Sequence, residues 1–146
     1  MRIAVHITDR TLFSWPSEYW SELMGDLVKD GHDVFVFTDD KHINLAIENA
    51  KVHKCFDFTD EEINKVIAQC DVFFGVPLRF STIAKDKGLK IVNLLGSTSN
   101  GTGIISPLVC QGCIDKGNSE IDCIFTDELC YWRITPIMVK RELYKA

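Results

Sequence analysis

Nowhere does the chain carry an apolar run near the roughly 20 residues a bilayer-spanning helix requires, so no membrane span is expected. It also lacks basic excess. Sixteen Lys and Arg stand against 21 Asp and Glu, a net charge of −5. This excludes a protein held on nucleic acid by a cationic face, because phosphate neutralisation supplies most of that affinity. No G-x-G-x-x-G, Walker loop or nucleophile elbow is present, and Gly101-Thr102-Gly103 is too short and follows the wrong strand. His6, His32, His42 and His53 are scattered without an HxxxH pairing or a carboxylate at helical spacing, and read as structural or surface groups. The opening MRIAVHITDR has too short an apolar core for a secretory signal and meets Asp9 and Arg10 at once. A cytoplasmic chain is expected, its six cysteines reduced thiols or metal ligands rather than disulfides.

What is present is a chain of 146 residues, 46% hydrophobic and 25% charged, enough to bury a core in a single domain over residues 1–146. The most informative stretch is DVFFGVPLRFSTIAKDKGLKIVNLLGST, from Asp71 to Thr98. It reads as a buried strand to Gly75, a loop at Val76 to Leu78, a helix to Lys87, a Gly88 stop, a strand from Lys90 to Asn93 and a polar Gly96-Ser97-Thr98 turn. Such a strand, crossover helix and strand lie parallel in one sheet, with ligands bound beyond their carboxyl ends.

Strands are also expected at Arg2 to Ile7, Asp33 to Thr38 and Val52 to Phe56. Trp20, Leu23, Met24, Leu27 and Val28 form the stripe of an amphipathic helix, opened by Pro16 and Ser17 and closed by Gly31. A second helix, capped by Asp39 or Asp40, carries Ile43, Ala46, Ile47 and Ala50. Thr59 and Glu62 make a capping box ahead of Ile63, Val66, Ile67 and Cys70. Ser99 to Gly103 reads as a polar loop and Ile104 to Val109 as a strand broken by Pro107. Cys110 to Cys130 has little periodicity, and Thr135-Pro136 caps a terminal helix. Alternating strands and helices predict an α/β, doubly wound (Rossmann-like) parallel sheet, with a cysteine-containing segment over 104–146.

Candidate site residues follow from that topology. Thr8 and Arg10 leave the first strand; Arg79 and Thr82 open the central helix, whose N-terminus favours an anion; Gly96, Ser97 and Thr98 follow the next strand. Each has a plainer alternative, a solvated side chain or an ordinary turn. Cys110-Gln-Gly-Cys113 with Cys123 and Cys130 supplies four thiolates of a kind that hold zinc; the alternative is reduced packing thiols. Cys55 and Cys70 occupy core positions, and the carboxylates of Asp39-Asp40 and Asp60-Glu61-Glu62 sit where helix N-termini want negative charge.

The order of pieces resembles a known family. Trp15-Pro16 before an amphipathic helix, the Lys-Asp-Gly-His-Asp-Val turn, a helix ending at Cys70-Asp71, Ile83-Ala84 to Gly88, Leu94-Leu95-Gly96-Ser97-Thr98 and the late cysteines are similar to the C-terminal half of the ADP-heptose:lipopolysaccharide heptosyltransferases. The resemblance implies a GT-B half-domain, a nucleotide or nucleotide-sugar ligand and glycosyl transfer, with Arg10 and Arg79 balancing the diphosphate and Ser97 and Thr98 donating hydrogen bonds. Family members tend to have Asp-Ser-Gly and then a His in the central unit; Pro77, Leu78, Arg79 and Thr82 stand there instead. Phe13 and Ser14 replace a basic residue usually found before the Trp-Pro. Because GT-B transfer takes place between two domains, transferase activity is expected to need a partner domain. The rival readings are a non-catalytic interaction module, whose exposed Trp15, Tyr131 and Trp132 serve a protein partner or a homodimer, and a small zinc-binding regulatory protein.

Overall fold

The computed structural model describes residues 1–8, 15–38, 49–76, 78–95, 103–105 and 134–145. These contain strands β1 (Arg2–His6), β2 (Asp33–Phe37), β3 (Val52–Lys54), β4 (Val72–Gly75), β5 (Lys90–Leu95) and β6 (Gly103–Ile105). The helices are α1 (Ser17–Lys29), α2 (Asp60–Ala68), α3 (Arg79–Asp86) and α4 (Pro136–Leu143). The sheet order is β3-β2-β1-β4-β5-β6, and every neighbouring pair is parallel. The α/β doubly wound architecture expected from the sequence is therefore present.

Side chains alternate across this sheet and fill two cores. On one face Ile3, Val5, Val34, Val36, Val72, Phe74, Val92 and Leu94 pack with Trp20, Leu23, Met24 and Leu27 of α1 and Val139 and Leu143 of α4. On the other, Ala4, Phe37 and Phe73 pack with Ile63 and Ile67 of α2 and Phe80 and Ala84 of α3. Unbroken apolar runs such as Val-Phe-Phe in β4 arise because both faces are covered.

Helix ends follow local chemistry. Gly31 and Gly88 have φ of +90° and +79°. Each donates to the carbonyl three residues back, while the next residue reaches five back: Gly31 to Val28 and His32 to Leu27, Gly88 to Lys85 and Leu89 to Ala84. This closing pattern favours glycine at the left-handed position. At α2 the capping box is complete: Glu62 N–H donates to Thr59 Oγ1 at 3.2 Å and Thr59 N–H to Glu62 Oε1 at 3.1 Å.

Several boundaries move. β3 ends at Lys54, because the chain turns through Asp57 at φ 59°. β5 runs on to Leu95 because β6 gives it a partner, Asn93 facing Gly103 and Leu95 facing Ile105. Gly103 is thus strand rather than loop. Thr135 occupies the N-cap of α4, but its side chain makes no capping bond; Pro136 at the first helical position, with its preset φ, starts the helix. The second helix expected after Asp39 falls largely on 39–48, outside the described residues, as does 106–109 of the interrupted strand.

The foot of the sheet, where strands begin, is fastened by side chains. Lys90 Nζ donates to the Glu142 and Lys145 carbonyls at 2.6 and 2.5 Å, at the α4 C-terminus where a cation is favoured. Tyr144 Oη donates to Asp30 at 2.6 Å, and Lys140 reaches the same carboxylate at 3.0 Å. These two partners hold the Asp30 carboxyl below its ordinary range. Among the described residues no helix is long and apolar enough to cross a membrane. Replacing Thr59 with Ala should lower unfolding stability by about 1 kcal/mol. Thr135→Ala, which removes no capping bond, should stay within about 0.5 kcal/mol of wild type; urea denaturation followed by circular dichroism checks both.

Candidate functional site

In the order β3-β2-β1-β4-β5-β6 the chain leaves β1 toward one side of the sheet and β4 toward the other. The helix after β1 covers one face and the helix after β4 the opposite face. The carboxyl ends of β1 and β4 are therefore the topological switch point, where parallel α/β sheets bind ligands.

Thr8 leaves β1 here and is buried. Val76 and Leu78 lead from β4 into α3, with Leu78 at the N-cap. Because Leu78 makes no side-chain capping bond, the first turn of α3 presents its backbone N–H groups without the internal partner that Thr59 gives α2. The positive end of the helix dipole lies at the same place.

Arg79 stands at the first position of α3. Its guanidinium reaches Asp60 Oδ1 at 2.5 Å and lies 5.0 Å over the Phe80 ring. Asp60 begins α2, so this pair joins the N-termini of two neighbouring helices. Exposed pairs of this kind contribute about 0.2–1 kcal/mol. Thr82 is exposed and its hydroxyl turns back to the Leu78 carbonyl at 3.4 Å.

The buried polar side chains among the described residues are His6, Thr8, Ser81 and Asn93. All four belong to the carboxyl-terminal half of the sheet or to the first turn of α3. His6 and Asn93 share a face, separated by Gly75, which pairs with Asn93 in register. The His6 ring meets Phe80 edge-on at 4.7 Å between centroids. Asn93 Nδ2 donates to Ser81 Oγ at 2.9 Å, while its Oδ1 has no hydrogen-bond partner. An orphaned buried acceptor costs about 1–3 kcal/mol. Gly75 makes this close packing feasible: a Cβ there would lie 2.8 Å from His6 Cβ and 3.0 Å from the Phe73 ring.

Of the expected site residues, Thr8, Arg79 and Thr82 are at the exits of the adjacent strands β1 and β4. Arg10, Gly96, Ser97 and Thr98 lie outside the described residues, as do Cys110, Cys113, Cys123 and Cys130. Cys55 and Cys70 are core thiols, and burial pushes them up to about 11 and about 12. Among the described residues no three His, Cys, Asp or Glu converge as metal ligands. Trp15 corrects an expectation, since it is only 3% exposed. Its Nε1 donates to the Ile134 carbonyl at 2.8 Å, and its ring packs on Trp20 and Phe74. It therefore offers nothing to a partner; Tyr131 and Trp132 lie outside the described residues.

His53 has a carboxylate neighbour after all, Asp33 at 3.5 Å, reached across strands rather than along a helix. The sequence reading passed over Ser81, Asn93, Gly75 and the burial of His6. Their signal is a polar or side-chain-free position within IAVHI, VFFG and IVNLL, where a strand covered on both faces calls for an apolar residue.

No protein-family model matches this chain, and no curated protein matches it. Solved structures do. The E. coli heptosyltransferase WaaC with ADP-2-deoxy-2-fluoro heptose superposes at a TM-score of 0.73 and 18% identity, over 97% of this chain and 42% of that one. The fold is that of a heptosyltransferase half. The dodecameric iron-containing heptosyltransferase TibC in complex with ADP-D-beta-D-heptose gives a TM-score of 0.76 at 18% identity, over 97% and 43% of the two chains. The present chain thus spans less than half the length of the solved structures it matches. At such identity the likeness establishes architecture, and the expected resemblance to a GT-B half-domain holds at that level. Gly75→Ala should destabilise the protein by about 1–3 kcal/mol through overpacking against His6, read from the midpoint of chemical denaturation.

Proposed function

We propose that the chain binds a nucleotide-sugar at the switch point between β1 and β4. The observation carrying this reading is the uncapped N-terminus of α3 beside Arg79, opposite Thr8, at the sheet edge where parallel α/β folds place ligands. The two fold neighbours named above are solved with ADP-heptose or its 2-fluoro analogue, which supports an adenine diphosphate-sugar as the first ligand to test.

In this reading Arg79 and Arg10 offset the diphosphate charge, while Thr8, Thr82, Ser97 and Thr98 supply hydroxyls and Gly96 a backbone amide. Asp60 holds the Arg79 guanidinium at the helix end and also competes with the ligand for it. Sugar transfer requires an acceptor held in geometry with the donor, so activity belongs to an assembly in which another domain or chain forms the opposing wall. A non-catalytic interaction module is the rival, with a partner chain or second copy in place of the sugar nucleotide.

A second reading concerns the late cysteines. TibC is described as iron-containing, and this chain carries the donor set Cys110, Cys113, Cys123 and Cys130. Four thiolates suit tetrahedral zinc or iron, and a CxxC knuckle supplies two of them in one turn. The metal would tie this segment together, apart from the ligand crevice chemistry.

Titration calorimetry with ADP-heptose, ADP and UDP-glucose should give heat with the adenine ligands. Arg79→Ala should weaken binding about tenfold or more, the loss of one charge-assisted contact. Asp60→Asn should tighten it by about twofold to fivefold, because a competing carboxylate of an exposed pair is gone. No heat with any of the three ligands sinks the proposal. Metal analysis of the purified chain should return about one zinc or iron per chain, and Cys110→Ser should lower both metal content and melting temperature; metal-free protein of undiminished stability removes the second reading.

A further inference from the structure

Asn93 is a costly residue where it stands. Ile91, two residues before it on the same face of β5, packs in the apolar core, and Asn93 itself is only 2% exposed. One arm of the amide holds Ser81 Oγ at 2.9 Å, but the other has no hydrogen-bond partner. Two apolar side chains of the same shape would satisfy the packing without that orphan, since replacing both members of a buried hydrogen bond is often neutral or favourable. Stability therefore does not explain the pair; its geometry does.

Ser81 is the third residue of α3, in the same turn as Arg79, and Leu78 before it provides no side-chain cap. The first turn of a helix without a cap is the part that frays. A bond from the strand floor to Ser81 pins that turn from below, while the Arg79–Asp60 pair holds it from outside.

We infer that Asn93 is a positioning residue for the nucleotide-sugar site, acting through Ser81 to hold the first turn of α3 where its backbone N–H groups meet the ligand's diphosphate. The inference rests on the proposed function and adds to it the element that preorganises the anion contact. Preorganised donors bind without first meeting the entropy of ordering.

The test is the double variant Ser81→Ala with Asn93→Leu in the full chain, which exchanges both partners for apolar groups of similar shape. Its urea midpoint should equal or exceed that of wild type. Amide hydrogen exchange at Thr82 and Ile83, whose N–H groups make the first intrahelical bonds of α3, should nonetheless quicken about tenfold, and affinity for ADP by calorimetry should fall about tenfold or more. If the double variant does not fold, Ser81→Ala alone carries the same exchange and binding comparison. A variant that binds ADP as tightly as wild type overturns the inference, whether or not exchange quickens, and leaves the proposed function standing. A wild-type chain that takes up no ADP or ADP-heptose overturns both together.

Discussion

Parallel pairing of β1 with β4 is the contact on which the remaining architecture depends. Ile3, Ala4 and Val5 lie beside Val72, Phe73 and Phe74, and the chain reverses its direction of travel across the sheet at this seam. α1 and α3 then cover opposite faces, which makes the carboxyl ends of β1 and β4 the topological switch point of the sheet. The seam is tight because one partner has no side chain at its last position: Gly75 lets His6 approach to a distance that any Cβ would contest.

Polarity is distributed to match. The two cores are apolar through the middle and foot of the sheet, and the buried polar residues His6, Thr8, Ser81 and Asn93 gather toward the carboxyl ends of the strands. Buried hydroxyls, amides and imidazoles are expensive unless paired, so their concentration at one end marks where geometry was placed ahead of stability. The foot behaves differently. There Lys90, Lys140, Tyr144 and Asp30 satisfy one another or backbone carbonyls at the surface, where solvent moderates the cost. Burial and the bond to Asp30 push the Tyr144 hydroxyl well above its ordinary range, so it stays a donor across the physiological pH range.

Much of this was legible from residues alone, and the reason is locality. The Thr59–Glu62 box, the Gly31 and Gly88 stops and the stripe from Trp20 to Leu27 are decided within one or two helical turns. What was not legible depends on partners far along the chain. Trp15 looked exposed in a polar loop, yet its hydrogen bond goes to Ile134 and its ring to Phe74. Arg79 looked like a solvated cation or an anion contact, but its carboxylate partner lies on a different helix. Thr135 has the residue type of a cap without making the bond, because Pro136 alone suffices to begin the helix. The buried bond of Asn93 to Ser81 was not legible because a single polar letter in an apolar run does not reveal which helix will cover it.

The seam also governs how the molecule must assemble in time. β1 lies between β2 and β4, and Ile3 faces Val34 on one side and Val72 on the other. The second of these pairings has to wait until the intervening chain has folded out of the way. Non-local parallel pairing is slow because loop closure precedes any reward. Until then the Val-Phe-Phe run of β4, even with β5 beside it, keeps one edge open, the form in which edge pairing between copies begins. The central seam is thus also the strand pairing that closes the longest stretch of intervening chain.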